Sequence, residues 1–278
     1  MKPTLIVYGN CQAGVFFYAL KAFPEVTEQW DLVTMRNFVH PVDGHDKLPA
    51  DEVTRCGVLL EQGSPSKNNI NAFPYQDQLP STCRSIRFPP LDTNLLWPFN
   101  FVDPRNKPEP PEHPFGRYPY GDRIVVELMR EGLSGDEIWQ AYQARSVERM
   151  PNFERLVELE ISRLNERDTN CDIPMRSFLE ENFWSKRLYL TPNHPTWILL
   201  GTLFAKLVAA ILMDGRDYTE RALNHFEAWQ PWAAETLPIH PVVAERLNLK
   251  WFSPNEKTQY KGHHYTFDEY MKNYISFI

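Results

Sequence analysis

The apolar residues in the first third of the chain fall in short runs that are typical of β-strands. These runs predict strands over Thr4 to Tyr8, Asp31 to Met35, Gly57 to Leu60 and Ser85 to Phe88. The runs LIVY and VLL lack the alternation of a half-exposed strand, as expected when helices cover both faces of a sheet. The segments between the runs are long enough for crossovers, so we expect an open, mainly parallel sheet in an α/β fold.

From residue 122 onward the apolar positions recur every three or four residues, which predicts helices. The predicted helices are Asp122 to Glu131, Gly135 to Ala144, Asn152 to Arg167, Arg176 to Ser185, Thr219 to Trp229, Pro241 to Leu247 and Phe267 to Phe277. One further strand is predicted at Arg187 to Leu190, and a further helix begins at Pro195. The apolar segment Thr196 to Met213 in that helix carries Lys206 near its centre, which favours a buried helix over a membrane span.

The segment Trp97 to Tyr120 separates these two patterns and contains seven prolines among many aromatic residues. The prolines exclude regular structure, and the aromatic content predicts an ordered loop. A tether between domains and a wall or lid of a binding site are equally open interpretations. We expect one domain over residues 1–278, sheet-rich at 1–97, with this loop at 98–121 and a largely helical part at 122–278 packed on the sheet.

Charge and cysteine content narrow the functional class. The net charge of −7 and the lack of any Lys/Arg run longer than two argue against a nucleic-acid-binding protein. The four cysteines are widely spaced, which fits a reducing, cytoplasmic location better than a disulfide framework. The apolar run in the first residues is too brief for a signal peptide, and no transmembrane segment is expected. HExxH and comparable ligand spacings are absent from the sequence, so no metal site is predicted.

The sequence LIVYGNCQAGVFFYAL predicts a strand, a glycine turn and a helix, with Cys11 in the turn. We expect Gly9 to adopt a positive φ and the amides from Cys11 to Ala13 to lie at the amino end of the helix, where anions bind. The helix dipole is expected to lower the pKa of the Cys11 thiol, while Asn10 and Gln12 donate to an oxyanion. The alternative is that Cys11 is a small buried residue that packs the first turn. The pattern lacks the third glycine of a dinucleotide fingerprint and the Gly-Lys-Ser/Thr of a P-loop.

Among the histidines, His194 is the first candidate for the general base. His194 precedes Pro195, which suits a first helical position, so Asn193 or His194 is expected to cap the buried helix and keep a neutral imidazole there. His240 precedes a proline in the same way and is the alternative base. A role in capping or packing is the open alternative for both histidines.

The chain resembles the WcbI family of capsular polysaccharide biosynthesis proteins, which are similar to coenzyme A-dependent acetyltransferases. The resemblance is carried by YGNCQA at Tyr8 to Ala13, RFPPLDTNLLWP at Arg87 to Pro98, YPYGD at Tyr118 to Asp122, PNHPT at Pro192 to Thr196 and PIHPVVAERLNLKW at Pro238 to Trp251. It implies a sheet-based core with Cys11 and Gln12 in the active centre and His194 beside it. It also implies coenzyme A or acetyl-CoA as the ligand and O-acetylation of a sugar in a capsular or other surface polysaccharide.

The leading hypothesis is therefore acyl transfer from acetyl-CoA to a sugar or polysaccharide precursor, in which Cys11 attacks or aligns the thioester. The cofactor phosphates are expected to bind a local basic set, with Asn193 beside it. That set comprises Arg84, Arg87, Arg117 and Arg123. A looser likeness to SGNH esterases, in flavodoxin-like layering, leaves a thiol-dependent esterase or deacetylase open, although GNC stands where those enzymes have GDS. A non-catalytic coenzyme A-binding component and a homo-oligomer also stay open.

Overall fold

The computed structural model describes residues 1–63 and 72–277. The chain runs through two compact units, each built from separate segments of sequence. The first unit contains Met1–Leu91, Ile161–Glu180 and Thr196–Pro231. The second unit contains Asp92–Glu160, Glu181–Pro195 and Trp232–Ile278.

The strands and helices are numbered in chain order. The strands are β1 Thr4–Gly9, β2 Asp31–Arg36, β3 Cys56–Gln62, β4 Arg84–Phe88, β5 Asn100–Phe101, β6 Gly121–Asp122, β7 Tyr189–Thr191, β8 His194–Pro195, β9 Thr258–Tyr260 and β10 His263–Tyr265. The α-helices are α1 Cys11–Leu20, α2 Pro24–Thr27, α3 Ala50–Thr54, α4 Arg123–Arg130, α5 Gly135–Glu148, α6 Phe153–Asn170, α7 Arg176–Asn182, α8 Trp197–Leu212, α9 Thr219–Trp229, α10 Pro241–Arg246 and α11 Phe267–Ser276. A short 3-10 helix covers Gln76–Gln78.

The first unit is organised around a four-stranded sheet in the order β2-β1-β3-β4. All three pairings in this sheet are parallel, and every residue of β1 is buried. The predicted parallel α/β sheet is therefore confirmed, with all four strands where the apolar runs indicated. The burial of β1 explains why its sequence does not alternate, since both of its faces are covered.

Aromatic packing holds the helices of the first unit to the sheet. The ring of Phe16 in α1 contacts Phe88 of β4, Phe204 of α8 and Phe226 of α9. Gly201 allows α8 and α9 to approach closely, because a Cβ there would lie 3.1 Å from the Leu223 side chain. The parallel sheet is thus fixed to helices that come from the far end of the sequence.

The predicted buried helix is α8, and its charged residue is accommodated at the surface. Lys206 is exposed and its Nζ donates to the Pro174 carbonyl oxygen at 2.7 Å. Of the helices in the described ranges, none combines the length and hydropathy needed to cross a membrane.

The second unit is held by an aromatic core around α4, α5 and α11, which includes Tyr142, Tyr270 and Tyr274. The buried side chain of Asp122 caps α4 by accepting from the amides of Ile124 and Val125 at 2.8 and 3.1 Å. Burial raises the pKa of this carboxyl to about 7. The segment predicted as an ordered loop is irregular except for β5, which pairs with β6.

One expectation about local structure is wrong, and one hairpin was missed. The helix predicted from Pro195 begins at Trp197 with Thr196 as its N-cap, because His194 and Pro195 form β8 and pair with β7. The hairpin of β9 and β10 was not predicted, since its strands of three residues carry a weak pattern. The remaining helices differ from their predicted bounds mainly at their ends, where hydrogen bonding is least regular.

Candidate functional site

The strand-to-helix turn around Cys11 is present as predicted, and we call residues 9–13 the Cys11 turn. Asn10 is the N-cap of α1, and its side-chain oxygen accepts from the Gln12 amide at 2.9 Å. The Ala13 amide donates to the Asn10 carbonyl oxygen at 3.0 Å. Two of the three amides proposed to bind an anion are therefore used by the cap itself, and neither interaction uses the Cys11 amide.

Gly9 is required for a different reason from the one expected. Its φ is not in the positive range, so the prediction of a left-handed turn is wrong. A Cβ at this position would lie 2.7 Å from the Gln62 Cβ and 2.9 Å from the Ala13 Cβ. Glycine is needed because the end of β1 runs against the end of β3, and any side chain would force the two apart.

The fully buried side chain of Gln12 connects the Cys11 turn to two distant segments. Its Nε2 donates to the Leu91 carbonyl oxygen at 2.8 Å, and its Oε1 accepts from the Leu91 amide at 2.9 Å. Gln62 donates to the same Oε1 at 3.0 Å and accepts from the Asn10 amide at 2.9 Å. These bonds give Gln12 a positioning role within the turn, beside the oxyanion role that remains a prediction.

The Cys11 thiol has the opposite electrostatic character from the one expected. Burial raises its pKa to about 11, and amide hydrogen bonds from Gln12 and from Cys11 itself lower it by less. The prediction of a lowered pKa is wrong because the cost of burying a thiolate outweighs the helix amino end. At pH 7 on the order of one thiol in ten thousand is ionised.

His194 lies in the second unit, in the short strand β8, and its ring stacks on the ring of Trp232. The centroids of these two rings are 4.4 Å apart, with an interplanar angle of 7°. The ring of Tyr120 lies nearly perpendicular to the His194 ring, and the centroids of that pair are 6.1 Å apart. Burial lowers the pKa of His194 to about 4, so the imidazole is neutral at physiological pH. Its Nδ1 is buried and has no hydrogen-bond partner among residues 1–63 and 72–277. The neutral state that was predicted is present, although its cause is burial and not a helix terminus.

Two observations distinguish the surroundings of His194. Trp232 has a φ of 65°, a left-handed conformation that is unfavourable for a bulky residue and is found preferentially at functional sites. Asn193 does not cap α8 as expected. Its side-chain oxygen instead accepts a short hydrogen bond from the Tyr120 hydroxyl. The backbone amide of His194 donates to the Thr191 hydroxyl at 3.1 Å, which fixes the bend between β7 and β8.

His240 is also partly buried, and desolvation lowers its pKa to about 4, but both of its ring nitrogens have partners. His240 is the N-cap of α10, and its Nδ1 accepts from the Val242 amide at 3.1 Å. Since Nδ1 accepts, the proton of the neutral ring lies on Nε2, which then donates to the Ser146 hydroxyl at 3.1 Å. His240 therefore occupies the capping position that the sequence predicted for both histidines.

A pocket in the second unit is lined in part by the proline-rich segment. Its empty volume is about 500 Å³, including the part open to solvent. Trp97, Phe99 and Tyr120 come from this segment, and Tyr142 and His240 also line the pocket. The lining is mostly apolar and aromatic, and the interpretation of the loop as the wall of a binding site stays a prediction. Tyr120 both lines the pocket and contacts His194, so the two features are adjacent.

The family model of the polysaccharide biosynthesis enzyme WcbI matches residues 4–216, a span that includes the Cys11 turn and His194. The chain belongs to the WcbI family of polysaccharide biosynthesis enzymes. No curated protein sequence matches the chain.

A solved structure of WcbI has a similar fold. That structure is of the native protein without a disulfide bond between coenzyme A and a cysteine of that chain. The TM-score is 0.73, with 99% of the present chain and 89% of the WcbI chain covered at 16% sequence identity. At this identity the similarity establishes the fold, and the parallel sheet of the first unit is accordingly a feature of the WcbI family.

The four arginines predicted to bind coenzyme A phosphates are divided between the units of this WcbI-family protein. Arg84 donates to the Ala210 and Ile211 carbonyl oxygens near the end of α8, at 3.3 and 2.7 Å. The side chain of Arg87 is 56% exposed, and its Nε contacts Glu61 at 3.4 Å. In the second unit Arg117 pairs with Glu109, and Arg123 lies over the ring of Phe101. Arg84 and Arg87 thus belong to the first unit, and only Arg87 of these two is largely open to solvent.

Sequence reasoning missed Gln62, Leu91 and Trp232 as parts of the candidate site. A signal was available for Gln62, because the polar pair Glu61-Gln62 ends an apolar strand at the same sheet edge as the Cys11 turn. For Leu91 and Trp232 the contribution depends on backbone position, which the sequence does not show. Within the described part of the chain, no group of three or more His, Cys, Asp or Glu side chains is placed to hold a metal ion.

Proposed function

We propose that this WcbI-family protein is a coenzyme A-dependent acyltransferase that O-acetylates a sugar during the synthesis of a capsular or other surface polysaccharide. The observation that carries the proposal is the Cys11 turn, in which Gln12 and Gln62 hold a thiol at the carboxyl edge of a parallel sheet. Ligands of open α/β sheets bind at that edge. The similar WcbI structure, which is the native protein without a disulfide bond between coenzyme A and a cysteine, supports the choice of ligand.

The pKa of Cys11 favours alignment over attack. A thiol with a pKa of about 11 is a poor nucleophile at neutral pH, and an imidazole with a pKa of about 4 is too weak to ionise it beforehand. We therefore propose that Cys11 contacts the thiol end of acetyl-CoA and that the sugar hydroxyl attacks the thioester directly. The bond from oxygen to the acetyl carbon forms as the carbon–sulfur bond breaks. The hydroxyl proton is taken by a general base, for which we propose His194, and one proton is returned to the coenzyme A thiolate.

The acceptor is proposed to bind the aromatic pocket of the second unit. The C–H faces of a sugar ring pack well against aromatic rings, and Tyr120 joins this pocket to His194. Neutral His194 is then the general base for one sugar hydroxyl, and it accepts the proton while the new bond forms, so the hydroxyl does not ionise beforehand. For the cofactor phosphates we assign Arg87 first among the four arginines, because its guanidinium is the more exposed of the two in the first unit. The proposed location is the cytoplasm, where Cys11 stays reduced.

The test combines acetyl-CoA with a panel of sugars and sugar nucleotides and follows free coenzyme A and acetylated product. Sugar-dependent transfer is expected in the wild type, and Cys11→Ser is expected to retain part of it because a hydroxyl still contacts the thioester. Release of acetate that no sugar changes would show hydrolysis instead. A gain of one acetyl group on Cys11 in the intact mass would restore the covalent mechanism.

The raised pKa of Cys11 also favours a second candidate, coenzyme A binding without catalysis. In that case calorimetry would show coenzyme A binding to the wild type and Arg87→Ala would weaken it, while no sugar or water supports turnover. Failure of the wild type to bind coenzyme A would contradict both candidates.

A further inference from the structure

A second pair of thiols lies in the first unit, apart from the Cys11 turn. The Sγ atoms of Cys56 and Cys83 are 3.4 Å apart, and both cysteines are free. Cys56 begins β3, and Cys83 directly precedes β4, so the two sulfurs lie at the amino edge of the sheet. The Cys11 turn lies at the carboxyl edge, roughly one strand length or 20 Å away.

We propose that Cys56 and Cys83 form a peroxide-reactive dithiol site that closes reversibly into an intramolecular disulfide. Two thiols whose sulfurs are already in contact need an approach of only about 1.4 Å to reach disulfide bonding distance. The surroundings favour the product, because Cys56 lies in an apolar cluster with Ile6, Tyr8 and Leu59, and Cys83 packs against that cluster. A disulfide has no polar hydrogen to bury there.

The two cysteines differ in the way that such a site requires. Cys56 is 1% exposed, whereas Cys83 is partly accessible. The pKa of Cys83 is lowered, chiefly by its hydrogen bond with Cys56 and with a contribution from Arg84, so Cys83 is the more readily ionised of the two. A peroxide-sensitive cysteine is typically accessible, easily ionised and next to a second thiol. Cys83 therefore reacts first, and Cys56 is the resolving thiol.

The reaction balances with one peroxide. The Cys83 thiolate attacks one oxygen of hydrogen peroxide, the oxygen–oxygen bond breaks, and the departing hydroxide takes a proton to leave as water. The pKa of Cys56 is raised by Cys83 and by burial, so Cys56 reacts as the thiol and gives up its proton during the attack. Its sulfur bonds to the sulfur of the sulfenic acid, and the second hydroxide takes the Cys56 proton as it departs and leaves as water. Two electrons pass from the two sulfurs to the peroxide, and a dithiol reductant reverses the change.

The test treats the folded full-length protein with a small excess of hydrogen peroxide and then blocks the remaining thiols. We expect the intact mass to fall by the two hydrogens lost, about 2 Da, and the thiol count to fall from four to two. A non-reducing peptide map should join the Cys56 and Cys83 peptides, and dithiothreitol should restore the original mass. The melting temperature of the oxidised protein should rise by several degrees because the bond constrains the unfolded chain.

Single substitutions separate this site from the other thiols. Cys56→Ser and Cys83→Ser should each abolish the loss of 2 Da, whereas Cys171→Ser and Cys11→Ser are matched controls that should retain it. If either test variant fails to fold, the peptide map of the wild type still decides the question. Four free thiols after peroxide treatment, or a disulfide that maps to another pair, would overturn the proposal. The result is independent of the proposed transferase function, because no acyl donor or sugar is used.

Discussion

The sequence contains two His-Pro pairs, and the structure uses them in different ways. Both histidines are partly buried, and the loss of solvent around the ring lowers the pKa of each to about 4. His240 is held by Val242 and Ser146 through its two ring nitrogens. His194 is held by stacking on Trp232, and its Nδ1 has no partner in the described residues. A lowered pKa therefore does not separate a structural histidine from a catalytic candidate, whereas the hydrogen bonds of the ring do.

The largest expected difference between the two histidines is in catalysis. Under the proposed function, His194→Ala should lower kcat for acetyl transfer by roughly 10²- to 10⁴-fold, because it removes the general base. His240→Ala should change kcat by much less, since both ring nitrogens of His240 are held by Val242 and Ser146 and its place in the lining of the proposed acceptor pocket affects the KM for the sugar. Steady-state transfer assays on both variants, with calorimetry to show that coenzyme A still binds, provide the comparison. Equal losses of kcat in both would contradict the distinction.

The second effect is on the free energy of unfolding, which should fall more in His240→Ala than in His194→Ala. His240→Ala removes the acceptor for the Val242 amide and the partner of Ser146, so the free energy of unfolding should fall by about 1–3 kcal/mol. His240→Asn is the matched variant, because asparagine is a good N-cap and should recover part of the loss. Urea unfolding of the two variants and of His194→Ala measures the effect. A larger loss of unfolding free energy in His194→Ala than in His240→Ala would contradict this order.

A third prediction concerns the cover that Trp232 provides to His194. Trp232→Gly relieves the left-handed backbone but exposes the imidazole, so the pKa of His194 should rise from about 4 toward its ordinary value near 6.5. Trp232→Phe keeps an aromatic ring and should hold the pKa low. NMR titration of the histidine ring carbons follows both histidines at once, with His240 as the internal control. An unchanged His194 pKa in Trp232→Gly would show that other residues bury it.

A fourth prediction concerns the pH dependence of stability. The folded pKa values of His194 and His240 lie below the unfolded value, so the unfolded chain binds more protons between pH 6.5 and pH 4. The free energy of unfolding should therefore fall as the pH is lowered through that window, and each histidine contributes at most about 1.4 kcal/mol per pH unit. His240→Asn should reduce this slope. An unchanged slope would show that the His240 pKa is not lowered.

Asp122 acts in the same pH range with the opposite sign and has to be controlled. Its folded pKa of about 7 lies above the unfolded value near 3.9, so its contribution to stability is present at low pH and is lost as the pH rises through 7. Asp122→Asn removes this titration while keeping a side chain that caps α4. The pH dependence of the free energy of unfolding is best compared among the histidine variants in the Asp122→Asn background, because Asp122 no longer titrates there.

The features that could be predicted from the sequence are those with local causes. The four sheet strands and the turn at Cys11 follow from apolar runs and a Gly-Asn sequence that act over a few residues. The start of α8 could not be predicted, because His-Pro precedes a helix directly at His240 but pairs with a neighbouring strand at His194. The choice depends on β7, which is a tertiary partner, and local pattern does not contain it.

The chemistry of the candidate site was less predictable than its location. The sign of the Cys11 pKa shift depends on how deeply the fold buries the thiol, and the helix amino end alone indicated the wrong direction. The requirement for Gly9 depends on Gln62, which is far away in sequence. Residue types at a strand end therefore indicate where a site lies, while its electrostatics require the packing around it.

The side chain of Gln12 bonds to Leu91 as a peptide group of a neighbouring strand would, through one donor and one acceptor. It thus acts as a substitute for a missing stretch of backbone at the edge of the sheet. One consequence concerns grafting of the Cys11 turn onto another scaffold. A transplant of residues 9–13 alone would leave this amide without its counterparts, so a working graft has to include the end of β3 and the chain at Leu91 as well.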